Sequence, residues 1–178
     1  MKRREFISLL GGAIVAWPLA ARALPATTFR GEGLRVSVRA LSYDQAASFY
    51  IARGLPLSLI ERYVRKCVIL VILQNQDSSA SMMTKLANWR VRSAGGIAQQ
   101  IRGRGNWLAE LDEKGIAPAA RIAFEWAQLP EDADLYAGDS VQGMLSVPIN
   151  RSSTFDLIIR WQLGKDRHEV SIKQIRCD

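Results

Sequence analysis

Seven consecutive apolar residues, 67–73, constrain the fold of this chain more than any other feature of its sequence. The run is rich in valine, isoleucine and leucine, and polar residues such as Asn75 and Asp77 follow it. Because a strand alternates its side chains between two faces, an unbroken apolar run of this length predicts a strand that is buried on both faces. We therefore expect this strand at the centre of a sheet, with helices or a second sheet covering it.

Alternation of apolar and polar residues predicts further strands on both sides of this run. They are residues 34–40, 84–92, 121–128 and 141–147, followed by a hairpin of 155–163 and 169–176. Two short helices are predicted before the run, at 43–53 and 58–66, because Ser42 with Gln45 and Ser58 with Glu61 have capping-box spacing. A weaker helix is predicted at 106–114, and residues 130–138 are predicted to form an acidic loop.

This order of elements predicts a mainly β fold with a minor helical part. At 48% hydrophobic and 23% charged residues, the composition is that of a packed globular domain. Six or seven strands with closely spaced turns are typical of an antiparallel, immunoglobulin-like β-sandwich, here with two short helices near its start. A partly open barrel is the alternative.

The first 23 residues predict an export signal. A basic start is followed by a mildly apolar stretch and by small residues at the −3 and −1 positions of a cleavage site. The string from Lys2 to Ile7 resembles the twin-arginine (Tat) export motif, in which two arginines precede a variable residue, an aromatic and an aliphatic residue. The targeting residues are Arg3, Arg4, Phe6, Ala21 and Ala23.

The resemblance implies that the Tat translocase exports the chain and that signal peptidase cleaves it, which places the protein in the bacterial periplasm. The general secretory route is the alternative, because Lys2 and Ser8 depart from the Tat pattern. An uncleaved anchor is a further alternative, but the apolar stretch 6–21 is shorter than the roughly 20 residues that span a bilayer. The predicted organisation is thus a signal peptide at 1–23, a short linker at 24–33 and one β-rich domain at 34–178.

The predicted signal carries three of the seven net positive charges of the chain. The whole sequence has 24 basic and 17 acidic residues, whereas residues 24–178 have 20 and 16. Residues 24–104 carry 12 basic and 4 acidic residues, and 105–178 carry 8 and 12. This division predicts either attraction between the two halves within one fold or one basic face, and neither requires nucleic acid as a partner.

The two cysteines predict a structural disulfide, because an exported protein folds in an oxidising compartment. Cys67 begins the apolar run and Cys177 closes the last strand. Two independent thiols, one buried and one exposed, are the alternative. A catalytic dithiol is not indicated, since the Cys-x-x-Cys spacing is absent.

The candidate catalytic and metal-binding residues are few. His168 is predicted to lie in solvent at the edge of the hairpin, and no Gly-x-Ser-x-Gly motif supplies a nucleophile for a hydrolase. Met82, Met83 and Met144 with His168 have the soft atoms that bind copper(I), but they are dispersed along the chain. Core packing is the favoured interpretation of these methionines, and no cofactor is predicted.

Two loops remain as candidate sites. The acidic residues around Asp132 and Asp134 partly match a calcium loop, but the glycine and the closing glutamate of that motif are missing, which favours a solvated loop. Arg102 and Arg104 near Trp107 form a candidate patch for an anion or a partner protein, and a plain exposed loop is the alternative.

The function hypothesis that follows is a non-enzymatic, exported accessory domain that binds another protein of the bacterial envelope. A periplasmic carrier of copper or of a small ligand is the first alternative, and a small exported hydrolase is the second. A sandwich fold supports many functions, so the fold itself does not choose among them.

Overall fold

The protein is mainly antiparallel β-structure in two sheets, as its computed structural model shows for residues 25–77 and 79–178. The first sheet has four strands in the order β1-β2-β3-β8. These strands are β1 (Thr27–Gly31), β2 (Leu34–Leu41), β3 (Lys66–Asn75) and β8 (Ser140–Asn150).

The second sheet is built around its longest pairing, between β9 (Thr154–Leu163) and β10 (Asp166–Arg176). The other side of β9 pairs with two short strands, β4 (Met82–Lys85) near one end and β5 (Arg90–Ser93) near the other. Beyond these lie β7 (Asp132–Leu135) against β4 and β6 (Gln99–Gln100) against β5.

β3 lies inside the first sheet, as the apolar run predicts, but both of its faces are covered only over its first half. Cys67, Ile69 and Val71 enter the core between the two sheets. Val68 enters a second core on the opposite face, beneath a layer of helices. The molecule therefore has three layers: helices, first sheet and second sheet.

Four helices form the outer layer: α1 (Tyr43–Ile51), α2 (Leu57–Val64), α3 (Arg104–Glu113) and α4 (Pro118–Ala127). The predicted capping box of α1 is present, since Ser42 Oγ accepts from the Gln45 amide and the Gln45 side chain accepts from the Ser42 amide. α2 begins earlier than predicted: its cap is Pro56, which makes no side-chain capping bond. None of the helices in the described part of the chain is long and apolar enough to cross a membrane.

The predicted strand at 121–128 is wrong, because these residues belong to α4. Proline at the first position favours a helix start, and the segment is rich in alanine, which has the highest helix propensity. Ala120 and Phe124 are buried at the four-residue spacing of one helix face, whereas Ile122 and Trp126 are exposed. The alternation of Ile122, Phe124 and Trp126 in sequence therefore reflects two opposite faces of a helix.

Three smaller predictions are corrected. Part of the predicted linker 24–33 is β1, joined to β2 by a tight turn in which Glu32 and Gly33 both have positive φ, the geometry of a type I′ hairpin. The predicted strand 84–92 is β4 and β5 with a 3₁₀ turn, Leu86–Asn88, between them. The predicted acidic loop contains β7, because Asp132–Leu135 pair with β4.

The disulfide between Cys67 and Cys177 is present, as predicted, with the two Cα atoms 5.8 Å apart. Both residues are fully buried. The bond ties the C-terminal end of the chain to the start of β3. Near the disulfide, Arg151 links three segments of the chain by donating to the Val64, Leu41 and Asp178 carbonyl oxygens.

Candidate functional site

The helix layer covers only part of the outer face of the first sheet. Successive outward residues of β3 show the boundary: Val68 is buried, Leu70 is half-buried and Ile72 is 38% exposed. At this boundary α1, α4 and the sheet enclose a surface depression of about 540 Å³. We call this depression the groove. Its lining includes Arg39, Phe49, Arg53, Leu70, Trp126 and Met144.

α4 forms the wall of the groove and presents apolar side chains to solvent. Trp126 is 84% exposed and Ile122, one turn earlier, is 55% exposed. A second depression of about 440 Å³ runs along this face of α4 toward Phe49 and Arg53. Single exposed apolar residues are ordinary, but a tryptophan and an isoleucine on one stripe beside a groove form a continuous apolar surface.

Hydrogen bonds support the floor of the groove. Met144 lies on it, and the Tyr50 hydroxyl donates to the Met144 sulfur at 3.6 Å. Beneath it, Gln128 joins two buried tyrosines, because its Nε2 donates to the Tyr50 hydroxyl at 2.7 Å and its Oε1 accepts from the Tyr63 hydroxyl at 2.8 Å. Burial raises the pKa of Tyr50 to about 12 and that of Tyr63 well above its usual value. Both hydroxyls therefore stay protonated at neutral pH.

The backbone beside this network is closely packed. Leu129 donates its amide to the Met144 carbonyl, and Gln128 forms a parallel bridge with Met144. A Cβ atom at Gly143 would overlap the backbone of Gln128 and Leu129. Glycine at position 143 therefore allows the segment after α4 to lie directly on β8.

Two arginines border the groove without a carboxylate partner. Neither Arg39 nor Arg53 has a carboxylate oxygen within 4.0 Å among the described residues. Arg53 stacks on the Phe49 ring at 3.5 Å and donates to the Phe49 carbonyl at 2.9 Å. These contacts hold the guanidinium in place but leave its charge unneutralised, so the groove combines positive charge with apolar surface.

The structure brings together the residues of the predicted patch, but it also neutralises them. Arg102 stacks on Trp107 at 4.1 Å and donates to Glu110 at 2.5 Å, and Arg104 lies 3.9 Å from Glu125. Trp107 itself is buried. Although burial acts to raise the pKa of Glu110, hydrogen bonds from Arg102 and Lys114 hold it at about 2. A partner role for this patch stays a prediction.

The other candidate residues lie apart from one another. Met82 is buried between the sheets, the neighbouring Met83 is 43% exposed, and Met144 lies on the floor of the groove. His168 is on β10, where it stacks on Trp161 with 5.3 Å between ring centres instead of lying free in solvent. It lines a separate depression of about 470 Å³ on the second sheet.

Two carboxylates of the acidic segment have partners within the fold. The Asp139 carboxylate accepts the Tyr136 amide, and Asp132 lies 3.9 Å from Lys85. In the described part of the chain, no three His, Cys, Asp or Glu side chains are grouped as metal ligands would be.

Sequence reasoning missed the groove because its residues come from five elements. Arg39 is on β2, Leu70 on β3 and Met144 on β8, while Phe49 and Trp126 are on α1 and α4. One signal was available: Pro118 followed by four alanines in ten residues predicts a helix, and a helix would have placed Ile122 and Trp126 on one face.

Comparison with known proteins finds similarity to solved structures, two of which are described below. No family model and no curated protein matches the chain. The yjhA protein from Bacillus subtilis is 12% identical with a TM-score of 0.46, and the alignment covers 83% of this chain and 95% of that one. A DUF4426 family protein from Pseudomonas aeruginosa PAO1 is 15% identical with a TM-score of 0.42, and the alignment covers 86% and 96%.

Proposed function

We propose that this protein is an exported accessory domain that binds another protein of the bacterial envelope through the groove and catalyses no reaction. The observation that carries the proposal is Trp126, which is 84% exposed beside Ile122 and two unneutralised arginines. Tryptophan and arginine are enriched among the residues that dominate the energy of protein interfaces. An exposed apolar surface lowers the solubility of a protein, and a role in binding a partner explains why such a surface is present here.

The lining of the groove combines side chains that can bind both apolar and polar groups of a partner protein. It offers aromatic and aliphatic walls, two guanidinium groups and the side chains of Gln45 and Gln142. The hydrogen bonds beneath the floor favour such a role, because a preorganised surface loses little conformational entropy when a partner binds.

Export is part of the proposal. The Tat-like residues Arg3 and Arg4 lie outside the described residues, so they stay a prediction. The Cys67–Cys177 disulfide supports a periplasmic location, since stable disulfides form in oxidising compartments. The mass of the protein isolated from the periplasm tests this part: we expect a chain that begins at Leu24, and export that fails in the R3K/R4K variant. An intact start, with the protein retained in the cytoplasm, would refute it.

Binding is tested by affinity recovery from envelope extracts with wild type and with an I122S/W126A variant. We expect at least one protein to be recovered by wild type and lost with the variant. The matched control is I97S, because Ile97 is 87% exposed but does not line the groove and lies in the loop between β5 and β6 of the second sheet. Equal recovery by wild type and I122S/W126A would contradict the proposal. An R102E/R104E variant tests the predicted patch in the same assay.

A further inference from the structure

The uncovered half of the first sheet extends the groove as a positively charged floor. In β2, Leu34, Val36, Val38 and Ala40 are buried toward the second sheet. Arg35 and Arg39 therefore lie on the opposite, outer face, four residues and about 13 Å apart. We call Arg30, Arg35 and Arg39 with Arg53 the cationic face.

The pairing of β1 with β2 concentrates charge on this face. Arg30 lies directly opposite Arg35 in the register. Like charges directly opposite each other in a sheet are destabilising. Among the described residues, none of the four arginines of the cationic face has a carboxylate within 4.0 Å, although most other arginines of the protein do. An anion from outside the chain would reduce the repulsion between these arginines.

We propose that the groove and the cationic face together bind an extended acidic segment of the partner protein, with one apolar side chain placed over Leu70 and Met144 against Trp126. This inference rests on the proposed function and specifies the chemistry of the partner. Carboxylates four residues apart in an extended chain are about 13 Å apart, which matches the separation of Arg35 and Arg39 along β2. The outer rows of β3 and β8 beside them add uncharged residues, including Ile72, Gln74 and Gln142.

The shape of the surface favours a peptide over an anionic membrane. The helix layer stands about 10 Å above the sheet, because that is the diameter of a helix with its side chains. A flat bilayer in contact with Trp126 on α4 would lie about one helix diameter above the strands that carry Arg30, Arg35 and Arg39. An extended chain can lie in this step and contact the helix wall and the sheet floor together.

The test uses the fluorescence of Trp126 in the chain from Leu24 onward. The other tryptophans of this chain, Trp89, Trp107 and Trp161, are all buried, so quenching by acrylamide reports mainly on Trp126. The probe is an acetylated and amidated dodecapeptide in which Glu alternates with Ser and one Leu stands at the centre. Its matched control has Gln in place of every Glu. A W126F variant gives the background signal.

We expect the Glu peptide to protect Trp126 from quenching and to bind at least tenfold more tightly than the Gln peptide. The R35Q/R39Q variant should weaken binding of the Glu peptide about tenfold, whereas R167Q, on the second sheet, should not change it. Equal binding of the two peptides, or no response to the Glu peptide, would overturn the inference. The proposed function is judged separately, by recovery of an envelope protein that depends on Ile122 and Trp126.

Vesicles of phosphatidylglycerol provide the second arm, with phosphatidylcholine vesicles as their control. We expect neither kind of vesicle to protect Trp126. Protection by phosphatidylglycerol that is lost in R35Q/R39Q would assign the cationic face to anionic lipid and overturn the peptide inference.

Discussion

Replacing Gln128 by leucine should destabilise the protein markedly, because this side chain forms hydrogen bonds with two buried tyrosine hydroxyls. Gln128 is 4% exposed, and its amide accepts from Tyr63 and donates to Tyr50. Removing one partner of a buried hydrogen bond costs about 1 to 3 kcal/mol for each group left unsatisfied. Tyr50 keeps its weak bond to the Met144 sulfur, so we expect a total loss of about 2 to 4 kcal/mol.

The matched control removes the orphaned groups as well. In Y50F/Y63F/Q128L no hydroxyl is left without a partner, and replacing all members of a polar network by apolar side chains is often close to neutral. We therefore expect the triple variant to be more stable than Q128L. Urea unfolding with the disulfide intact measures both, with the midpoint shifting and the slope unchanged. A loss below about 1 kcal/mol in Q128L, or a triple variant no more stable than Q128L, would refute the role of this network.

Three further predictions concern other parts of the fold. C67A/C177A should lose about 4 to 5 kcal/mol by the chain-entropy model, because the disulfide closes a separation of 110 residues, and reductant should then no longer affect urea unfolding. The pKa of Glu110 in the folded state, about 2, is below its usual value of 4.5, so the stability that its carboxylate contributes is present above pH 4.5 and is lost as the pH falls toward 2. The difference in unfolding free energy between wild type and E110Q should therefore narrow from pH 4.5 to pH 2. A difference that stays constant over this range would contradict the prediction. G143A should lower the stability of the protein by about 1 to 3 kcal/mol, because the added Cβ atom overlaps the backbone of Gln128 and Leu129. G105A, in the first turn of α3, should be neutral or slightly stabilising. Similar melting temperatures for the two variants would contradict the packing argument.

The two-sheet β architecture could be predicted because its main strands carry strong local patterns. β2 alternates strictly, β3 is continuously apolar, and β9 with β10 has a turn at Gly164. The disulfide was predictable from cysteine count and predicted compartment. The immunoglobulin-like character of the sandwich stays a prediction.

Three of the four helices were predicted, the third of them weakly, whereas α4 was missed for a physical reason. The buried face of α4 uses Ala120 and Phe124, and alanine contributes little to a hydrophobic pattern. Its exposed face carries the larger Ile122 and Trp126, so the strongest apolar residues alternate as in a strand. A helix that presents apolar residues to solvent departs from the usual rule, and such departures are expected at functional surfaces.

The groove could not be predicted because it depends on how the helix layer is placed over the sheet. The excess of positive charge in residues 24–104 gave a partial signal, since Arg30, Arg35, Arg39 and Arg53 all belong to that half. The patch that the sequence did indicate, Arg102 and Arg104, has carboxylate partners from α3 and α4. Charge along the sequence therefore does not show which arginines are neutralised in the fold.

Site-specific photocrosslinking in the native cells tests the binding role most directly. A photoreactive amino acid at position 126 is compared with one at position 97, because Trp126 and Ile97 are exposed to nearly the same extent, 84% and 87%. We predict one discrete adduct at position 126, absent at 97, whose crosslinked partner peptide is acidic. The same adducts at both positions, or none at position 126, would contradict a docking role for the groove.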